Sequence, residues 1–264
     1  MALLNLACSK KSCRNRSVPQ NQFLRLTVAL AGNPNTGKST VFNALTGLSQ
    51  HTGNWPGKTV QRAEGNFYHR NKHFTLVDLP GTYSLFANSV DEQVARDYIC
   101  FARPDVTVVV TDATCLERNL NLVLQVMEIT PKVVVCLNLM DEAERKKICV
   151  DVELLSSELG VPVVATAARS GRCLDKLMDA IDDVASGRIK TSPRLVAYDS
   201  EIEQLVQKIE LKISPLVPEG LNPRWVALRL LDGDRSIIDS LQRYLREGKN
   251  SSFHWGEERA LCIR

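Results

Sequence analysis

The run Gly32-Asn33-Pro34-Asn35-Thr36-Gly37-Lys38-Ser39 sets two glycines, a lysine and a hydroxyl at the spacing that cradles a polyphosphate. The glycines let backbone N–H groups curl around phosphate oxygens, and the N-terminus of the following helix adds its positive end. Lys38 can neutralise β- and γ-phosphate charge, while Ser39, with Thr40 beside it, opens that helix and can hold Mg²⁺. A second motif, Asp78-Leu79-Pro80-Gly81, follows an apolar run. Alone it is a plain turn; two strands beyond a phosphate loop, Asp78 can reach Mg²⁺ and the Gly81 N–H can meet a γ-phosphate.

Asn138-Leu139-Met140-Asp141 ends another apolar run. The Asp141 carboxylate can accept from the N1–H and the exocyclic amine of guanine. Adenine offers no such pair and would leave a buried carboxylate without partners. Thr166-Ala167-Ala168-Arg169 can close over a base with backbone N–H groups. In or just before the stretch Gly53–Thr59 a side chain can complete a Mg²⁺ shell; His51, Thr52 and Thr59 are candidates, and the hydroxyl of Thr59 is preferred at the loop–strand junction.

These residues need elements to hold them. Leu26–Ala31, Val106–Asp112, Lys132–Asn138 and Val161–Thr166 read as buried strands; Ser39–Leu48, Val90–Phe101, Leu116–Glu128, Val152–Leu159 and Leu174–Ala185 read as helices. Gln50–Lys58 reads as a loop, and Val60–Tyr68 with His73–Asp78 as an antiparallel edge. Strand–helix alternation with wholly apolar strands predicts an α/β fold, a mainly parallel six-stranded sheet covered by helices. After Pro193 three helical patterns follow, Ser200–Ile213, Arg224–Leu231 and Ser236–Arg246, which predict a small all-α domain. The expected organisation is an irregular basic arm over 1–22, a nucleotide-binding domain over 23–190, and helices with a tail over 191–264.

The 264 residues carry a net charge of +3, unevenly placed. Eight basic residues precede the first acidic one, Glu64; the remainder holds 25 basic and 30 acidic residues. Of the eight, Lys38 belongs to the phosphate loop, and Lys58 and Arg62 flank the loop–strand junction at Thr59, so only Lys10 to Arg25 form a basic arm, and no nucleic acid is expected as a partner. No apolar run reaches the length of a membrane span. The eight cysteines lack a compact disulfide spacing and indicate a reducing compartment; Cys8 and Cys13 make half of a metal site at most.

Taken together, the motifs resemble translation-factor-type GTPases and, more closely, the cytosolic part of the FeoB family of bacterial ferrous-iron transporters. The resemblance runs from about Leu24 to Arg246 and rests on the phosphate loop, Gly53-Asn54-Trp55-Pro56-Gly57-Lys58-Thr59, Asp78 to Leu85, Asn138 to Asp141, and Arg224-Trp225 to Asp234. It implies a P-loop GTPase binding GTP and GDP, with Mg²⁺ held through Ser39, Thr59 and Asp78. It implies K⁺ beside Asn35, with backbone carbonyls near Gly53 and Trp55, and Thr59 and Asp78–Leu85 as switches I and II. Catalysis then falls to Asn35, Lys38, Thr59 and Gly81. Thr82 stands where many GTPases have a water-orienting Gln, which implies slow intrinsic turnover. The helical domain is expected to favour the GDP state and relay the switches to a transmembrane iron permease, at the cytoplasmic face of the bacterial inner membrane, with homo-oligomers as a further partner. This chain is expected to be the soluble part of that system. A soluble RNA- or ribosome-assembly GTPase, and a nucleotide-binding regulator with negligible turnover, are the competing readings.

Overall fold

Val28 and Leu30 point to one side of a strand while Ala29 and Ala31 point to the other, and all four are buried. A strand apolar on both faces needs cover on both sides, and the fold supplies it. The computed structural model describes residues 24–47, 50–55, 58–86, 88–217 and 221–247. The Cys8/Cys13 pair, the arm residues before Leu24, Pro56, Gly57 and the tail after Glu247 lie outside the described residues.

The strands are β1 (Arg25–Gly32), β2 (Gln50–Asn54), β3 (Gln61–His69), β4 (Lys72–Asp78), β5 (Val106–Asp112), β6 (Val133–Asn138) and β7 (Val163–Ala165). They form one seven-stranded sheet in the order β2-β3-β4-β1-β5-β6-β7. β4, β1, β5, β6 and β7 run parallel, and β2 and β3 are antiparallel additions. The sheet thus has one strand more than the six expected. The extra one is β2, part of the stretch read as a loop. Its sequence Gln-His-Thr-Gly-Asn has no apolar alternation, and its strand state comes from pairing with β3.

The helices are α1 (Lys38–Thr46), α2 (Val90–Asp97), α3 (Leu116–Ile129), α4 (Met140–Arg145), α5 (Val152–Leu159), α6 (Leu174–Ala185), α7 (Ser200–Ile213), α8 (Pro223–Leu231) and α9 (Arg235–Glu247). α2 runs on into a wider π-type turn over Tyr98–Ala102. Side-chain caps start several of them: Ser89 accepts from the Glu92 N–H, Asp151 from Leu154, and Asn222 from Arg224 with Pro223 in the first turn.

On one face, Val41 and Phe42 of α1 and Leu177 and Ile181 of α6 cover Val28, Leu30 and Val108. On the other, Val94 of α2 and Leu122 and Val126 of α3 cover Ala29, Val77 and Val109. The second core continues into Trp225 and Val226 of α8 and Ile237 of α9, so the helices after Ser200 pack on the α2/α3 side. α7 closes against α8 through Val206, Ala227 and Leu228, and Arg224 grips Glu203 with two hydrogen bonds of 2.6 and 2.8 Å. The connection from α6 passes so close to the end of α5 that a Cβ on Gly160 would lie 2.0 Å from the Ser192 carbonyl oxygen. Among the described residues no helix is long and apolar enough to cross a membrane.

The register gathers the chemistry. Leu30 pairs with Asp78, Gly32 with Val110, and Asp112 with Asn138. Gly32, Asp78 and Asn138 therefore leave the sheet together at the carboxyl ends of their strands, the edge where parallel sheets hold ligands.

Candidate nucleotide site

β1 ends at Gly32 because nothing larger fits: a Cβ there would sit 2.7 Å from the Val110 carbonyl oxygen of β5. The loop then rises through Pro34 and Asn35, both exposed, with Asn35 in the left-handed region at φ 68°. Asparagine tolerates that conformation better than most residues. Thr36 is buried and its hydroxyl donates to the Asn33 carbonyl at 2.9 Å, fixing the loop from inside. Asn33 is only 3% exposed, and neither polar atom of its side chain has a partner among the described residues. Such groups are what a bound molecule or water completes.

α1 starts from Gly37 at φ 81° with no side-chain cap. Its first N–H groups consequently face the loop uncapped, beside the exposed Ser39 and Thr40. A Cβ on Gly37 would lie 2.4 Å from Asn138 Nδ2. The Lys38 ammonium donates to Asp78 Oδ1 at 2.5 Å and to the Leu79 carbonyl at 2.7 Å. Burial pushes the Asp78 carboxyl above its ordinary range, and the attraction of Lys38 offsets this only in part. The donor set fits both groups expected here. An uncapped helix start and a lysine suit phosphate, and a hydroxyl with a carboxylate across from it suits a hard divalent cation.

The segment expected to be switch II is clamped from several sides. The Thr82 N–H donates to the Gly32 carbonyl at 3.3 Å, and Gly81 lies against Pro34. The Leu85 N–H donates to Gln125 Oε1 of α3 at 2.6 Å, and the Arg118 guanidinium covers the Tyr83 ring at 4.4 Å. Arg229 of α8 covers Phe86 at 4.7 Å. A cavity of about 210 Å³ opens there, lined by Phe86, Gln125, Glu128, Tyr198, Trp225 and Arg229 among others.

The base side is built around Asn138, 1% exposed. Its Nδ2 donates to the Thr36 carbonyl at 3.0 Å, while its Oδ1 accepts from the Ala168 N–H at 3.0 Å and the Thr166 hydroxyl at 3.3 Å. One amide thereby ties the phosphate loop to the loop after β7. Leu139 sits in the left-handed region at φ 62° and turns the chain into α4, which opens with Met140 and Asp141. A non-glycine residue held there is local strain of the kind found at functional turns. The Met140 N–H donates to the Thr166 carbonyl at 3.2 Å. Ala167 and Arg172 exchange two backbone bonds, and Arg172 reaches Glu144 of α4 at 2.7 Å, so the base loop is a closed miniature hairpin.

The segment expected to be switch I stands apart. Gly53 and Asn54 lie in β2, paired with Arg62 and Gln61. Trp55 is buried, edge-on to Tyr98 at 5.2 Å, with Arg62 over its ring; its carbonyl accepts from the Lys58 N–H at 3.0 Å. Thr59 is exposed at the turn. The structure therefore gathers Gly32 to Thr40, Asp78, Gly81, Asn138, Met140, Asp141 and Thr166 to Ala168 at one edge of the sheet, and lays Gly53, Asn54, Trp55 and Thr59 along its end in a hairpin. Reading the sequence alone missed the tie made by Asn138 and the contacts of Arg118, Gln125 and Arg229 with Tyr83, Leu85 and Phe86. No local pattern marks such contacts, because each joins distant segments.

Comparison with known proteins agrees with this architecture. Residues 26–181 match the family "Ferrous iron transport protein B" and residues 198–255 the "FeoB cytosolic helical domain". The Fe(2+) transporter FeoB of Salmonella typhimurium is 38% identical over 259 residues, covering 90% of this chain; the chain spans 32% of that protein's length. The cytosolic domain of T. maritima FeoB in a GDP form superposes with a TM-score of 0.76 at 36% identity, over 84% of this chain and 86% of that one. The cytosolic domain of L. pneumophila FeoB gives 0.75 at 34% identity, over 83% and 88%. This chain belongs to the ferrous iron transport protein B (FeoB) family, of which it carries the G domain and the cytosolic helical domain.

Proposed function

We infer that the chain binds and hydrolyses GTP, with Mg²⁺ and K⁺, and that its switches regulate Fe²⁺ uptake through a membrane region not contained in these residues. The observation that carries the reading is the tie made by Asn138. A single buried amide sets the distance between the phosphate loop and the base loop beside Asp141, as a site spanning both ends of one nucleotide requires.

In this reading Asp141 selects guanine and the N–H groups from Asn35 to Thr40 hold the phosphates. Lys38 exchanges its bonds to Asp78 and Leu79 for β- and γ-phosphate oxygens. Ser39, Asp78 and Thr59 are the residues that would hold Mg²⁺, and Asn35 with the Gly53 and Trp55 carbonyls those that would hold K⁺. Bound cations supply positive charge for the oxygens that become more negative as the β–γ bridge breaks. Water attacks the γ-phosphorus in line, the bond to the bridging oxygen breaks, and GDP and inorganic phosphate leave. Gly81 donates its N–H to the γ-phosphate. Slow turnover is part of this reading, since Thr82 stands where many GTPases have a water-orienting Gln; it is buried, with its own N–H on Gly32. Recruiting Thr59 and the Gly53 carbonyl requires switch I to leave its place beside β3. The helices that follow the G domain match the FeoB helical domain rather than an RNA-binding module, which speaks against the ribosome-assembly reading.

The test is phosphate release from GTP, with Mg²⁺, in KCl against NaCl. KCl should be faster by about tenfold or more, and Asn35→Ala should erase the difference while leaving GDP binding in place. Equal rates in both salts for the unaltered chain would remove K⁺ from the mechanism; no phosphate release in any salt would leave a binding protein only.

A further inference from the structure

The cavity of about 210 Å³ is walled on its apolar side by Phe86, Leu124, Val196 and Trp225. An apolar ring displaces water readily from such walls. Asn121 and Gln125 line it too, but the Gln125 amide is already used: it donates to Asn121 Oδ1 at 3.3 Å and accepts from the Leu85 N–H. Three polar groups remain, each from a separate part of the chain: Glu128 of α3, Tyr198 from the connection before α7, and Arg229 of α8.

Arg229 is 8% exposed, yet its bonding capacity is largely unused. Its Nη1 donates to Asp232 Oδ2 at 3.3 Å, while Nε is buried without a partner among the described residues. A guanidinium has five N–H donors, and leaving them unmet away from water is costly. Glu128 is equally buried, and its Oε1 accepts from the Tyr198 hydroxyl at 3.2 Å. Burial pushes the Glu128 carboxyl above its ordinary range, and the Tyr198 bond with the attraction of Arg229 and Arg224 offsets this in part. Two buried groups of opposite charge thus line one cavity, and Arg229 pairs with Asp232 rather than with Glu128.

We propose that this cavity is a binding site for a small aromatic molecule that bridges the two charges, its carboxylate accepting from Arg229 and its amine or hydroxyl donating to Glu128. The walls are set before any ligand arrives. The Tyr198 N–H donates to Glu203 Oε1 at 3.0 Å, the Glu128 carbonyl accepts from Asn222 Nδ2 at 2.7 Å, and the Arg229 guanidinium lies over the Phe86 ring at 4.7 Å. Little ordering is then left for binding to offset. The volume admits one substituted ring, and a flat one suits walls that include an indole and a phenyl group. The site is separate from the phosphate and base loops, so the proposal stands whether or not the chain hydrolyses GTP.

The experiment titrates the full chain with 3- and 4-aminobenzoate, and with benzoate and aniline, each of which lacks one of the two polar groups. Affinities come from calorimetry and positions from ¹⁵N-resolved NMR shifts. One aminobenzoate should bind with a dissociation constant of about 1 mM or lower and at least about fivefold more tightly than benzoate or aniline. Its shifts should centre on the Trp225 indole N–H and the amides of Phe86, Leu124 and Gln125. Glu128→Gln should weaken that aminobenzoate about fivefold or more and leave benzoate nearly unchanged, a split that general loosening of the fold does not produce. Arg229→Gln should weaken both; if it does not fold, Glu128→Gln and the probe series decide the question. Absence of binding by both aminobenzoates, or shifts centred on Gly32–Thr40, would overturn the site. Equal affinities for all four probes would overturn the bridge.

Discussion

At the residue scale, Asp141 makes the sharpest demand. In the proposed reading its carboxylate pairs with two donors on guanine, and xanthine replaces one of those donors with a carbonyl oxygen. Asp141→Asn should weaken GDP binding about a hundredfold or more and improve binding of the xanthine diphosphate, measured by competition against fluorescent GDP. An equal loss for both bases would mean that the side chain only shapes the loop. The phosphate loop was legible in the sequence because its chemistry depends on spacing along the chain, and the proposal for Asp141 is read from spacing of the same kind. Asn138 was legible as part of a base motif, but its side chain faces inward to Thr36 and Ala168. That role is set by residues 102 and 30 positions away, which no local pattern encodes.

At the scale of elements, the parallel strands and their helices follow from apolar runs and period. α7 spans the residues that the pattern marks, Ser200–Ile213. β2 does not follow, since its polar residues acquire strand geometry only from β3. The turn between β3 and β4 offers a test of a different kind. Lys72 donates to Asp182 Oδ1 of α6 at 2.6 Å, Arg188 pairs with Oδ2, and His69 meets Asp179 at 2.8 Å. Burial alone would raise the Asp182 carboxyl, but bonds from Lys72, Arg188 and Ser186 outweigh it and hold it down to about 2, from an ordinary value of 3.8. A depressed carboxylate contributes stability above its unfolded value and loses it as pH falls through the folded one. The contribution, about 2 kcal/mol, should be intact above about pH 4 and fade toward pH 2. Thermal unfolding should then show a steeper acid loss for the unaltered chain than for Asp182→Asn, which lacks that contribution throughout. Parallel curves would assign the acid loss to other carboxylates.

At the scale of the whole molecule, one core runs from the sheet into α8 and α9, so the two family regions share an interior. The sequence announced a helical appendage through its change of period, but not that Trp225 enters the core of the G domain. The sheet also gives the molecule two unlike ends. The carboxyl ends of the parallel strands carry the loops whose contacts change with the nucleotide in the proposed reading. The opposite edge carries the β3–β4 turn, stapled to α6 by a cluster of opposite charges, and Asp105, which accepts from the Thr27 N–H at 2.7 Å. Amide exchange should therefore be graded along each strand, slowest beside His69–Lys72 and fastest beside Gly32 and Asp78, with nucleotide altering only the fast end. Uniform exchange along β1 and β4 would contradict it. In mechanical terms that grading would make the protein a cantilever: the charged staples its wall, and the phosphate loop and proposed switches its free end, deflecting without loosening the mount.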